Sequence, residues 1–253
     1  MFAEERLEEI LNILSETGRI KVKELSEKFN VSEGMIRKDL QKLEKTHCIQ
    51  RTYGGAILNR KIATNTSISA RMHVNLTSKE LIAKKALDII EDGDIIFLDA
   101  SSINFLLAKL LSISNKKITL VTNMPLIFAL FNTNETVDVI CIGGIYDKKS
   151  GGLLGTEVTK SINKYNFNKG FIGSSGVNLI SNSISTITLE DGNIKESVIY
   201  HSKRIFLLVE KEKFNIDGTY IFASLDDITS VITDSDINED IKELLNESSM
   251  QVF

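Results

Sequence analysis

Asp99-Ala100-Ser101-Ser102, Thr122-Asn123, Gly143-Gly144 and Gly173-Ser174-Ser175-Gly176 each follow a short apolar run. Hydroxyls, an amide and glycines with accessible backbone N–H groups are the donors that hold a phosphate or a polyol. Lys213, on its four-carbon stem, could reach such a ligand as a direct charge partner. A different chemistry lies near the amino end, where Arg37, Lys38 and Arg51 sit. Residues 32–60 hold 6 Lys/Arg against 3 Asp/Glu in a chain of net charge −4. A basic segment on an acidic protein is either the footprint of a nucleic-acid backbone or a solvated helix face.

Composition narrows the classes. The 253 residues are 42% hydrophobic and 25% charged, the balance of a folded soluble chain rather than a disordered one. Cys48 and Cys141 are the only cysteines, and His47, His73 and His201 lie far apart, so neither a disulfide framework nor a metal or other cofactor is expected. No P-loop, HExxH or nucleophile motif is present. No apolar run spans a bilayer, and the first residues are no signal peptide, so the expected location is the cytoplasm, with no membrane partner.

The elements that must position these residues follow from periodicity. Leu7, Ile10, Leu11 and Leu14 mark a helix over 4–16, closed by Gly18. Val22, Leu25 and Phe29 mark a second, over 23–29. After a tight turn, Ser32 caps a third, over 33–45, with Ile36, Leu40 and Leu43 on its apolar face. Two strand-like pieces around Gly54-Gly55 complete a winged helix-turn-helix. Arg37 and Lys38 then lie on the face opposite Ile36 and Leu40, and Asp39 serves better as a partner for a cation than as a base reader. The alternative is a three-helix scaffold that meets no DNA.

Asn59 to Ser69 is polar and aperiodic, a natural linker. Thr77-Ser78-Lys79-Glu80 is a capping box that predicts a helix starting near Ser78. From Gly93 apolar runs alternate with helical segments near 104–111, from Pro125, near 156–164, near 194–201 and over 238–245, which predicts a mostly parallel sheet covered on both faces. Ligands of such sheets bind beyond the carboxyl ends of the strands.

Val31-Ser32-Glu33-Gly34-Met35-Ile36-Arg37-Lys38-Asp39-Leu40, Leu43-Glu44 and Arg51-Thr52-Tyr53-Gly54-Gly55-Ala56 together resemble the DeoR-type bacterial repressors, whose recognition helix reads VSxxTIRRDLxxLE before a wing ending in GGA. Met35 replaces the usual Thr and Lys38 the second Arg. The resemblance continues through Arg71, Asn75, Lys79, Asp99, Thr122-Asn123, Gly143-Gly144, Gly155, Phe171-Ile172-Gly173, Lys195, Lys213-Phe214 and Thr233-Asp234. Here the usual DxGTT reads Asp99-Ala100-Ser101-Ser102-Ile103 and the usual DxSK reads Glu210-Lys211-Glu212-Lys213. The resemblance implies a small winged helix-turn-helix domain over 1–58, a linker over 59–69, and over 70–253 an effector-binding and oligomerisation domain with an α/β fold like that of ribose-phosphate isomerases.

It also implies a repressor of a sugar operon, released from its operator by a phosphorylated sugar or related metabolite. Its partners would be double-stranded operator DNA, that metabolite, and further copies of the chain in a dimer or tetramer. The DNA-contacting candidates are Ser32, Glu33, Gly34, Met35, Arg37, Lys38, Arg51 and Tyr53. The effector candidates are Asp99, Ser101, Ser102, Thr122, Asn123, Gly143, Gly144, Gly173 and Lys213. Two other readings stay open: a sugar-phosphate isomerase using Asp99, Asp191, Glu210 or Lys213, with Asp191 and Lys195 alternatively a surface pair at i, i+4, and a ligand-free DNA-binding protein whose Ser101–Ile103 segment has closed the pocket.

Overall fold

The computed structural model describes residues 2–46, 49–234 and 251–253. Contacts divide the chain into two compact units, one ending at Lys61 and the other beginning at Ile62.

In the smaller unit the apolar stripe of α1 (Ala3–Thr17) ends at Gly18, whose φ of 68° lets its N–H turn back to the Leu14 carbonyl at 2.8 Å. Strand β1 (Arg19–Lys21) leads into α2 (Val22–Phe29), and α3 (Glu33–Lys45) follows a three-residue turn. The Ser32 hydroxyl accepts the Met35 N–H at 3.3 Å, the expected cap. Ile10, Leu14, Val22, Leu25, Ile36, Leu40 and Leu43 form the shared core. The wing is a hairpin, β2 (Ile49–Thr52) and β3 (Gly55–Leu58), turned at Tyr53-Gly54, with β1 on the other edge of β3. Gly55 is required there: a Cβ would lie 2.0 Å from the Ile20 carbonyl oxygen.

The larger unit is built on seven strands: β4 (Ile95–Leu98), β5 (Ile118–Thr122), β6 (Val137–Cys141), β7 (Phe167–Gly173), β8 (Ser202–Leu208), β9 (Ser230–Ile232) and β10 (Gln251–Val252). All neighbours are parallel, in the order β10-β9-β8-β7-β4-β5-β6. The chain lays β5 and β6 on one side of β4, then returns to lay β7 and its successors on the other. The order therefore reverses between β4 and β7, which is where sheets of this kind open a crevice.

Ile96, Leu98, Leu120, Phe171, Phe206 and Leu208 share one core cluster with α5 (Leu76–Ile89), α6 (Ser102–Ser112) and α7 (Pro125–Phe128). The alternate residues Phe97, Val121, Ile172 and Leu207 are buried as well, and after α8 (Thr156–Ile162) the helix α9 (Leu189–Tyr200) packs against β7 and β8. A sheet apolar on both faces is the reason its strands read as continuous hydrophobic runs.

Three local expectations need correction. The helix foreseen near Ser78 starts at Leu76, because Asn75 takes the cap position at φ 52° and the Ser78 hydroxyl bonds Asp234 instead. A further helix, α4 (Ile68–His73), begins inside the stretch read as linker, capped by the Ser67 hydroxyl on the Ala70 N–H. The helix foreseen near 194–201 starts earlier, at Leu189, capped by Thr188. The helix expected over 238–245 lies outside the described residues.

Candidate functional site

On α3 the sequence's periodicity places Gly34, Arg37, Lys38 and Gln41 along one exposed stripe, with Ser32, Glu33 and Met35 also exposed at its start. Arg37 donates to the Glu33 carboxylate at 2.5 Å, an exposed i, i+4 pair worth at most about 1 kcal/mol and easily exchanged for another acceptor. Asp39, between the same cations in sequence, turns the opposite way. It is buried and accepts from Arg6 Nε on α1 at 2.7 Å. The Asp39 carboxylate is thus neutralised on the buried side of α3 and does not stand among Gly34, Arg37, Lys38 and Gln41. On the wing, Arg51 Nη1 lies 3.7 Å from Glu44 and Tyr53 is fully exposed at the turn.

In the larger unit, Gly143, Asn123 and Asp99 follow β6, β5 and β4, and Gly173 ends β7, so they stand in that order along the carboxyl edge of the sheet. At the reversal point Asp99 is almost fully buried. One carboxylate oxygen accepts the Gly173 N–H at 2.8 Å and bonds Lys195 Nζ from α9. The other accepts Asn104 Nδ2 at 2.8 Å. Burial pushes the Asp99 carboxyl up, but Lys195, the Gly173 amide and the Ser101 hydroxyl outweigh it and hold it below the usual carboxylate range. Lys195 also faces Asp191 at 3.5 Å and is itself buried, so the reading of Asp191 and Lys195 as a surface pair is corrected. Burial pulls Lys195 down, while Asp191 and Asp99 more than restore it.

The structure thus brings Asp99, Ser101 and Gly173 together; a Cβ on Gly173 would lie 3.0 Å from that of Ser101. Asn123 joins Gly152 rather than Asp99. Its Nδ2 donates to the Leu153 carbonyl at 3.1 Å, its buried Oδ1 meets no donor among the described residues, and Gly152 lies so close to Ala100 that a Cβ would fall 2.7 Å from it. Thr122 is spent on the fold: its hydroxyl donates to the Leu98 carbonyl at 2.7 Å and accepts the Met124 N–H at 3.1 Å. Ser102 is buried in the first turn of α6, and Ile103, the departure from DxGTT, packs into the core. Gly144 lies against Val158 and the Leu154 carbonyl, serving a hairpin, while Gly143 is open. Lys213 stands on the turn Lys211–Asn215 after β8, paired with Glu212 at 3.1 Å.

Three cations the candidate list omitted belong here. Arg71 on α4 is mostly buried and donates to the Thr66 and Ser150 carbonyls at 3.0 and 3.3 Å; burial lowers its pKa, opposed by Asp191, Asp99 and Asp147. Lys79 holds the end of α4 through the Arg71 and Val74 carbonyls and lies 3.9 Å from Glu210. Lys195 completes the set. Burial raises the Glu210 carboxyl, opposed by Asn75, Lys79 and Lys213. Arg71, Lys79 and Lys195 were visible in the sequence as matches to the family pattern, but nothing local showed that they would meet Asp99 or Glu210. Among the described residues no cluster of His, Cys, Asp and Glu is suited to a metal ion, and no helix is long and apolar enough to cross a membrane.

A family model described as the DeoR C terminal sensor domain matches residues 74–235, and one described as a DeoR-like helix-turn-helix domain matches residues 6–61. The chain belongs to the DeoR family. Its DeoR-family relatives include an uncharacterised HTH-type transcriptional regulator of Bacillus subtilis, 31% identical over 100% of this chain and 96% of the relative. The HTH-type transcriptional repressor GlcR of the same organism is 31% identical over the same shares. The lactose phosphotransferase system repressor of Lactococcus lactis is 32% identical over 92% of this chain and 91% of its own length. As a DeoR-family member the chain is a DNA-binding transcriptional regulator: a winged helix-turn-helix followed by a mostly parallel α/β unit. Among solved structures, a D-ribose-5-phosphate isomerase in complex with phospho-erythronic acid is 18% identical over 53% of this chain and 52% of that one, with a TM-score of 0.38.

Proposed function

We propose that this regulator represses a carbohydrate operon, that paired copies of α3 read an operator half-site each, and that a phosphorylated sugar bound at the β4–β7 reversal point releases it. The observation that carries the proposal is the division of charge. Arg6 neutralises Asp39 on the buried side of α3, away from its cationic stripe, while Arg71, Lys79 and Lys213 collect around the edge where Asp99 and Glu210 are held. Names of relatives point the same way, two being repressors and one serving a lactose phosphotransferase system. The sugar's phosphate would meet Arg71 and Lys213 and its hydroxyls Asn123 and Ser101. One winged helix of modest positive charge offers too few phosphate contacts for specific binding at physiological salt, which favours a homo-oligomer assembled by the larger unit.

The isomerase reading is less well supported. With Asp99 as its base, the donors Asn104, Gly173 and Ser101 and the Lys195 ammonium leave that carboxylate poorly basic. The test is footprinting of the full chain on DNA flanking its own gene, with and without a panel of hexose, pentose and triose phosphates. The expected result is an inverted repeat with half-sites a whole number of helical turns apart, released by one sugar phosphate. Protection without sequence preference, or release only by an unphosphorylated sugar, overturns it.

A further inference from the structure

On α3, Met35 stands apart from the polar side chains around it. It is 44% exposed, on the first turn, beside a helix face whose core duties are met by Ile36, Leu40 and Leu43. Apart from Phe2 and the wing residue Tyr53, it is the large apolar side chain left exposed among the described residues up to Lys61. Its neighbour Gly34 is equally unexplained by folding. Its φ is not positive, and a Cβ would meet only the Ser32 hydroxyl at 3.9 Å, where the same addition at Gly55 would strike backbone at 2.0 Å. Alanine would fit at Gly34 without strain, so the fold does not require glycine there and its bare backbone is open to a partner.

Together the two residues form a bare patch of helix flanked by a flexible thioether, one turn before Arg37 and Lys38. In the major groove the one apolar group that a base edge presents is the 5-methyl of thymine. We propose that Gly34 and Met35 seat a thymine methyl, so that each operator half-site carries a T·A pair at the base step facing the first turn of α3, next to the base met by Arg37. Gly34 lets the helix approach the groove closely, and Met35 closes over the methyl, its unbranched side chain adapting to the contact. The inference rests on α3 being the recognition helix.

The test uses the full chain and the operator fragment it selects from random DNA. Each thymine of a half-site is replaced in turn by deoxyuridine, which removes the methyl and keeps every hydrogen-bonding group. At one position the wild type should lose about fourfold in affinity per half-site, the value of one buried methyl-sized group. Met35→Ala should be indifferent to that replacement. Gly34→Ala should leave the unfolding temperature unchanged or raised while weakening operator binding, a pairing that a structural glycine would not give. If deoxyuridine affects wild type and Met35→Ala alike at every position while Arg37→Ala still weakens binding, the methyl seat is wrong and the recognition helix stands. If Arg37→Ala binds the operator as wild type does, both fall.

Discussion

A buried carboxylate–cation contact in the smaller unit and one of those in the larger unit do opposite things. Asp39 and Arg6 join α3 to α1 and take a negative charge off a surface, leaving Arg37 and Lys38 to face outward. Asp99 and Lys195 join β4 to α9 at the point where strand order reverses, and they keep charge concentrated at an edge, with Asp191 and Arg71 beside them. Among the described residues the first pair stands alone, bonded through one nitrogen. The second belongs to a network in which Gly173, Asn104 and Ser101 also hold the carboxylate. The same chemistry clears one surface and organises another, and the difference lies in how many further groups each carboxylate gathers.

The largest expected effect comes from breaking the network. Asp99→Ala strands a buried Lys195 beside Asp191 and orphans the Gly173 N–H, and it should destabilise the larger unit by about 3–5 kcal/mol. Thermal unfolding of Asp99→Ala, Lys195→Met and the double variant would show it, the double variant being less damaged than either single one. Additive losses would mean that the two side chains do not act together. For the isolated pair, Asp39→Ala should cost about 1–3 kcal/mol, the range of one charged hydrogen bond, and lower operator affinity without changing which sequence is selected. An unchanged melting curve would show that Arg6 finds water or another acceptor.

On the surface that Asp39 leaves, Arg37→Ala should weaken operator binding by the roughly 1–3 kcal/mol of a bidentate base contact and relax preference at one base pair. Arg51→Ala should weaken all sequences alike and reduce the salt slope by about one phosphate contact. Competition titrations at several salt concentrations separate the two behaviours, and identical responses would erase the distinction between helix and wing.

The smallest effect is in pH dependence, where Asp99 and Glu210 have opposite signs. Asp99 titrates lower in the folded chain, so its ionised form stabilises the fold above the ordinary carboxylate range, and that contribution is lost as pH falls through the folded value. Glu210 titrates higher because of burial, so ionising it costs stability as pH rises from the unfolded value of about 4.3. Glu210→Gln should therefore unfold at a higher temperature than wild type near neutrality and lose that advantage toward about pH 4. An advantage independent of pH would mean that the ionisation of Glu210 does not matter to the fold.

Much was legible along the chain. The core stripe of α3, its Ser32 cap, the glycines of the wing and the alternation of apolar runs with helices are local patterns, because a helix or strand declares its buried face through its own periodicity. Pairing between distant residues has no such signature. Asp39 was recognisable as a partner for some cation, and only folding chose Arg6, 33 residues away. Lys195 looked like a surface lysine at i, i+4 from Asp191 until α9 laid it against Asp99, 96 residues earlier. Thr122 looked like a ligand donor, but its hydroxyl is used between neighbouring strands. The order of strand ends along the sheet, and with it the neighbourhood of Asp99, followed from β7 settling beside β4 instead of β6. That choice depends on how whole strands and helices share one core, and no run of adjacent residues encodes it.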